Sequence, residues 1–195
     1  MYKVIFTNKK TNLKTEYINI KKENSFIVKM KQTHSNNLIE VIKNPIHKIT
    51  TIQNTDALYT KLSNIWLTVK FADCMPLVIF HPKKILSVIH AGRQGTIKKI
   101  VKKTLNTLIK EINSKEGFII HIGPHLCKKC HEIDKENKLH YDLLQENLNQ
   151  IKSVLNLEKN KLIINSECTK CHNTCFSYRG DNKTKKRNYI FCKLK

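Results

Sequence analysis

The sequence predicts one domain of mixed α/β or α+β class, and three observations carry that reading. A chain of 195 residues with 40% hydrophobic side chains can bury a sizeable core. Ten short β-like runs punctuate it, and two longer segments space their apolar residues as helices do. No internal repeat, Pro-rich linker or Gly/Ser spacer divides the chain, so residues 1–195 are expected to form a single unit.

The expected strands are 3–7, 25–28, 38–42, 57–60, 66–70, 77–80, 85–90, 118–122, 162–165 and 189–193, each rich in β-branched or aromatic side chains. The first helix is expected over 97–112, where Ile97, Ile100, Val101, Thr104, Leu105, Leu108, Ile109 and Ile112 form one stripe with Lys opposite. A second is expected over 141–155, through Leu144, Leu148, Ile151 and Leu155. Both stripes read as core. Between Asn165 and Asn188 apolar side chains are few, so this stretch needs a clamp to be ordered.

Formal charge is +21, from 36 basic and 15 acidic residues. Such a balance raises nucleic acid as a partner, yet 33 of the basic residues are Lys and only Arg93, Arg179 and Arg187 carry the planar fork that base and phosphate recognition favours. Lys, Asn and Ile supply 78 of the 195 residues, a bias that scatters Lys over the surface. The field still attracts small anions. No stretch has the length of a signal peptide core or a membrane span, so a cytoplasmic location and no membrane partner are expected. In that compartment seven Cys read as metal ligands or reactive thiols.

Three stretches set metal-competent side chains beside β-like runs: KQTHSNNLIEV with His34, VKFADCMPLVIF with Cys74 and ILSVIHAGRQGT with His90. Two imidazoles and a thiolate suit zinc, and three protein ligands leave a fourth position open for water or substrate. A packing role for each residue is the alternative. After His90, Gly92-Arg93-Gln94-Gly95-Thr96 opens the first helix, where close backbone approach and exposed N–H groups could seat a phosphate.

A second cluster pairs Cys127-x-x-Cys130-His131 with Cys168-x-x-Cys171-His172, and Cys175 follows. Paired Cys-x-x-Cys units signal a structural zinc, which here would clamp the apolar-poor stretch. The alternative leaves Cys130 and Cys168 beside the active pocket with no metal.

FADCMPLVIF, SVIHAGRQGT, HIGPHLCKKCHEI and CFSYRGD, in this order, resemble the laccase-type multicopper polyphenol oxidase family, also called the peptidoglycan editing factor family. Gln32-Thr33-His34, Asp56-Ala57-Leu58, Ala72-Asp73-Cys74-Met75-Pro76, Gly123-Pro124, Cys168-Thr169 and Phe176-Ser177-Tyr178-Arg179 fit the same pattern, from about residue 30 to the end. Gln94 replaces the family's usual Arg, leaving Arg93 beside it, and the family's N-terminal Arg-His-Gly-Gly is reduced to Phe6-Thr7-Asn8-Lys9.

The resemblance implies two mixed β-sheets stacked as a sandwich with helices outside, an α+β fold. It implies zinc on His34, Cys74 and His90, with copper disfavoured, and a purine nucleoside phosphorylase acting on nucleoside and phosphate, with adenosine deamination as a possible side activity. Asp73 or Asp56 would position the nucleoside or carry a proton, and Arg93 or Arg179 would hold phosphate. Two rival enzymes use the same residues: a metal-free hydrolase with Cys74 as nucleophile and His90 as base, acting on a small amide or peptidoglycan precursor, and a phenol-oxidising laccase. A nucleic-acid binder is the rival from another class.

Overall fold

The computed structural model describes the backbone of residues 1–195 and every side chain except those of Lys21 and Lys22. In chain order the elements are β1 (Tyr2–Phe6), α1 (Leu13–Lys22), β2 (Phe26–Met30), β3 (Leu38–Val41), β4 (Ile49–Ile52), β5 (Ala57–Thr60), β6 (Ile65–Phe71), β7 (Met75–His81) and β8 (Ile85–Ala91). They continue with α2 (Arg93–Ile97), α3 (Ile100–Ile112), β9 (Ile119–Ile122), β10 (Glu132–Asp134), β11 (Leu139–His140), α4 (Leu143–Lys152), β12 (Lys161–Ile164) and β13 (Asn188–Leu194).

Two mixed sheets are stacked, as the resemblance implies. One has the order β1-β13-β6-β2-β4 and the other β12-β9-β7-β8-β5-β3, while β10 and β11 form a small separate hairpin. The strand period of two sorts the side chains into layers. On β7, Val78 and Phe80 enter the core between the sheets, together with Leu67 and Val69 of β6 and Ile190 of β13. Met75, Leu77 and Ile79 point the other way, onto the stripe of α3 and α4. Across the first sheet, Trp66 and Phe191 meet Ile20 of α1. The result is a four-layer stack, helix on sheet on sheet on helices.

All ten expected strands form, most with ends moved by one or two residues. The first expected helix is corrected, because it is broken. The α2 segment stops at Ile97, Lys99 takes a left-handed conformation at φ 59°, and α3 starts at Ile100. Ile97 therefore leaves the stripe and is 53% exposed. The second helix is shorter than expected, with Asp142 as its N-cap accepting from the Gln145 amide at 3.0 Å, while Leu155 stays buried just past its end. Four elements escaped the sequence reading: α1, β4 and the short strands β10 and β11. In α1, Asn12 caps the start and Leu13, Tyr17 and Ile20 pack at helical spacing against the first sheet. β4 is a four-residue edge strand, too short for its alternation to stand out. Among the described residues no helix is long and apolar enough to cross a membrane.

Candidate functional site

The site lies where β7 begins, β8 ends and the 31–37 turn crosses over them. His34 sits on that turn with φ 59°, a left-handed conformation that a non-glycine residue adopts only when its surroundings hold it there. Asp56, fully buried at the start of β5, does the holding. Its carboxylate accepts from the amides of Thr33 (3.1 Å), His34 (3.0 Å) and Ser35 (2.8 Å) and from the Ser35 hydroxyl (2.7 Å). It also accepts a hydrogen bond from Nδ1 of His90 at 2.9 Å. One buried carboxylate thus holds the backbone of His34 and the ring of His90, and the bond to Nδ1 leaves Nε2 of His90 as the atom that can ligate.

His34, Cys74 and His90 come together as the sequence reading expects: their ligand atoms all lie within 4.8 Å of one another, with His34 Nε2 3.7 Å from Cys74 Sγ. Gly92 makes room, since a Cβ there would fall 2.7 Å from Cys74 Sγ and 3.0 Å from His34 Cδ2.

Electrostatics tune the group. Burial pushes the Cys74 thiol up, but the His90 charge and hydrogen bonds from His34 and His90 outweigh it and bring it down to about 6. Burial pushes His90 down, while the Cys74 thiolate and Asp56 outweigh that and raise it to about 9. Asp56 itself is pushed up by burial, yet its bonds to His90 and Ser35 hold it below the usual carboxylate range. A buried thiolate and two ring nitrogens, with Nε2 of His90 giving up its proton on binding, form a donor set that fits a zinc-class ion.

Above this group opens a cavity of about 480 Å³, within the range of small-molecule sites. Arg93, Arg179 and Arg187 all line it, so the three Arg of a chain with 33 Lys converge on one space. Arg187 was not singled out for function from the sequence; the scarcity of Arg was the available signal. His131 also lines the cavity, and burial together with the Arg179 and Arg93 charges lowers it to about 4, leaving it neutral at pH 7. Leu126, Leu143 and Tyr178 supply apolar and aromatic wall.

Not every expected role matches its placement. Asp56 does not border the cavity; it lies under the histidines. Asp73 does border it, but Oδ1 accepts from Thr169 (2.7 Å) and Ser177 (2.6 Å) hydroxyls and Oδ2 from the Arg179 amide (2.9 Å). These bonds tie down the loop between β12 and β13. The phosphate seat expected where the first helix opens falls at the start of α2. That helix has five residues, too few for a strong aligned peptide field, and its first two, Arg93 and Gln94, line the cavity.

The sequence model of a family described as multi-copper polyphenol oxidoreductase laccase matches residues 7–149. The chain belongs to that family. A purine nucleoside phosphorylase of Campylobacter jejuni, Cj1217c, is 30% identical over 172 residues, covering 80% of this chain and 73% of that protein. An adenosine deaminase, RL5, from an unknown prokaryotic organism is 31% identical over 98 residues, covering 47% of this chain and 37% of that protein. Hypothetical protein YfiH of Bacillus licheniformis superposes with a TM-score of 0.82 at 21% identity, covering 100% of this chain and 93% of that one, and shares the fold.

Proposed function

We propose that this family member is a zinc-dependent purine nucleoside phosphorylase of the cytoplasm, with His34, Cys74 and His90 as metal ligands. The observation that carries the reading is the pairing of this open donor set with the convergence of all three Arg on the cavity above it. The name of the Campylobacter relative supports the same choice. In phosphorolysis a phosphate oxygen bonds to C1′ of the ribose as the C1′–N bond breaks, its electron pair goes to the base, and the base takes a proton. Zinc, when bound, supplies a Lewis acid at the cavity floor.

The chain's own residues do the rest. Arg93, Arg179 and Arg187 attract and orient the phosphate as planar forks. Neutral His131 can donate to or accept from the base without adding charge, and Tyr178, Leu126 and Leu143 cover its faces. Asp56 orients His90 and the His34 turn. Asp73, with both oxygens occupied, positions Arg179 and leaves proton transfer to other groups.

The test is incubation of zinc-loaded protein with adenosine, inosine, guanosine and methylthioadenosine, with and without phosphate, following free base and ribose 1-phosphate. Phosphate-dependent release of base is expected, and Arg93→Ala should raise KM for phosphate by about tenfold while KM for the nucleoside moves less. The name of the deaminase RL5 favours a second activity at the same site, in which water would add at C6 of adenosine and ammonia would leave, giving inosine without phosphate. The metal-free hydrolase reading predicts instead that stripped protein keeps full turnover and that Cys74 alkylates equally with and without zinc.

A further inference from the structure

Two distant segments bring four further cysteines together. Cys127 and Cys130 bracket a single 3-10 turn, and Cys168 and Cys171 lie on the loop between β12 and β13. Their sulfur atoms all lie within 4.8 Å of one another, with Cys171 Sγ 3.3 Å from Cys130 Sγ and 4.0 Å from Cys127 Sγ. A tetrahedral ion at about 2.3 Å from four thiolates spaces them about 3.8 Å apart, and the observed distances bracket that spacing. The Cys127 amide donates to Cys168 Sγ at 3.3 Å, as a charged sulfur ligand requires. Lys128, Lys129 and Lys170 occupy the inner positions of the two Cys-x-x-Cys spans, where cations offset the −2 charge of a tetrathiolate complex.

We propose that Cys127, Cys130, Cys168 and Cys171 hold a second, closed zinc ion that joins the 127–131 turn to the 168–179 loop and so positions His131 and Arg179 in the cavity wall. Four protein ligands leave no open position, which makes the ion structural. The links to the cavity are short. His131 follows Cys130, and its amide bonds to the Cys127 carbonyl at 3.1 Å. Thr169, between two of the ligands, donates to Asp73, which receives the Arg179 amide on its other oxygen. The loop offers few apolar side chains to offset its ordering entropy, and metal binding supplies that free energy.

The test counts metal in protein purified without chelator, by mass spectrometry of the elements, in the wild type, His34→Ala, Cys171→Ser and the double variant. Two zinc ions per chain in the wild type, one in each single variant and none in the double variant is the expected pattern. A single ion in the wild type that Cys171→Ser retains overturns the proposal, as does an intact mass short by two hydrogens that maps to a Cys130–Cys171 disulfide. Cobalt loaded into His34→Ala reads the same site without Cys171→Ser: intense thiolate-to-cobalt charge-transfer bands are expected, and their absence overturns it. Hydrogen exchange tests the positioning role. Amides of residues 166–181 should exchange at least tenfold faster in Cys171→Ser while those of β7 and β8 keep their rates; equal exchange in both proteins overturns it. None of these readouts depends on phosphorylase activity, so the two readings stand or fall separately.

Discussion

At the scale of single residues the site depends on one carboxylate and one absent side chain. Asp56 accepts five hydrogen bonds of 3.1 Å or shorter, all from the His34 turn and His90. In Asp56→Asn an amide group would face some of these donors, and stability at pH 7 should fall by about 3 kcal/mol. Because Asp56 is held below the ordinary carboxylate range in the fold, its contribution is complete above the unfolded value near 4 and is lost as pH falls below it. The gap in urea midpoint between wild type and Asp56→Asn should therefore stay level from pH 7 to about 5 and shrink below about 4. Gly92→Ala tests the absent side chain. Its Cβ would press on Cys74 and His34, so metal content should drop and turnover fall about 100-fold with the fold retained by circular dichroism.

At the scale of elements, the expected helix over 97–112 is divided between α2 and α3. Gln150 of α4 holds the break from both sides, donating to the Thr96 carbonyl at 2.8 Å and accepting from the Lys102 amide at 3.1 Å. Lys99, left-handed and without a side-chain cap, bears the strain of the break. Lys99→Gly should relieve it, raising stability by about 1 kcal/mol and Tm by about 2–4 °C, as measured by thermal melts with and without zinc. The break was hidden in the sequence because Ile97 continues the i, i+3, i+4 spacing, and an apolar period does not report the φ of the Lys between two turns.

At the scale of the whole molecule, a net +21 repels itself while drawing anions toward the cavity. Raising NaCl from about 0.02 M to 0.5 M shortens the screening length from about 20 Å to about 4 Å. Tm should rise as repulsion is screened, while KM for phosphate rises several-fold, both read on one preparation across the salt series.

The sequence alone determined what depends on local period and residue chemistry. Short β-branched and aromatic runs placed all ten expected strands, the apolar stripes found the faces of α3 and α4, and the chemistry of His34, Cys74 and His90 marked a candidate ligand set whose members lie together. It also marked the two Cys-x-x-Cys pairs that fold against each other. Tertiary structure decided what depends on distance between remote segments. It buried Asp56 under the histidines, where the family resemblance had implied a nucleoside or proton-transfer role, and it spent both oxygens of Asp73 on the 169–179 loop. It drew Arg93, Arg179 and Arg187 to one cavity across more than 80 residues of chain. Spacing along a strand or helix is fixed by backbone geometry and can be read from sequence. Which charge meets which partner across the fold is set by how the layers pack, and no local pattern encodes it.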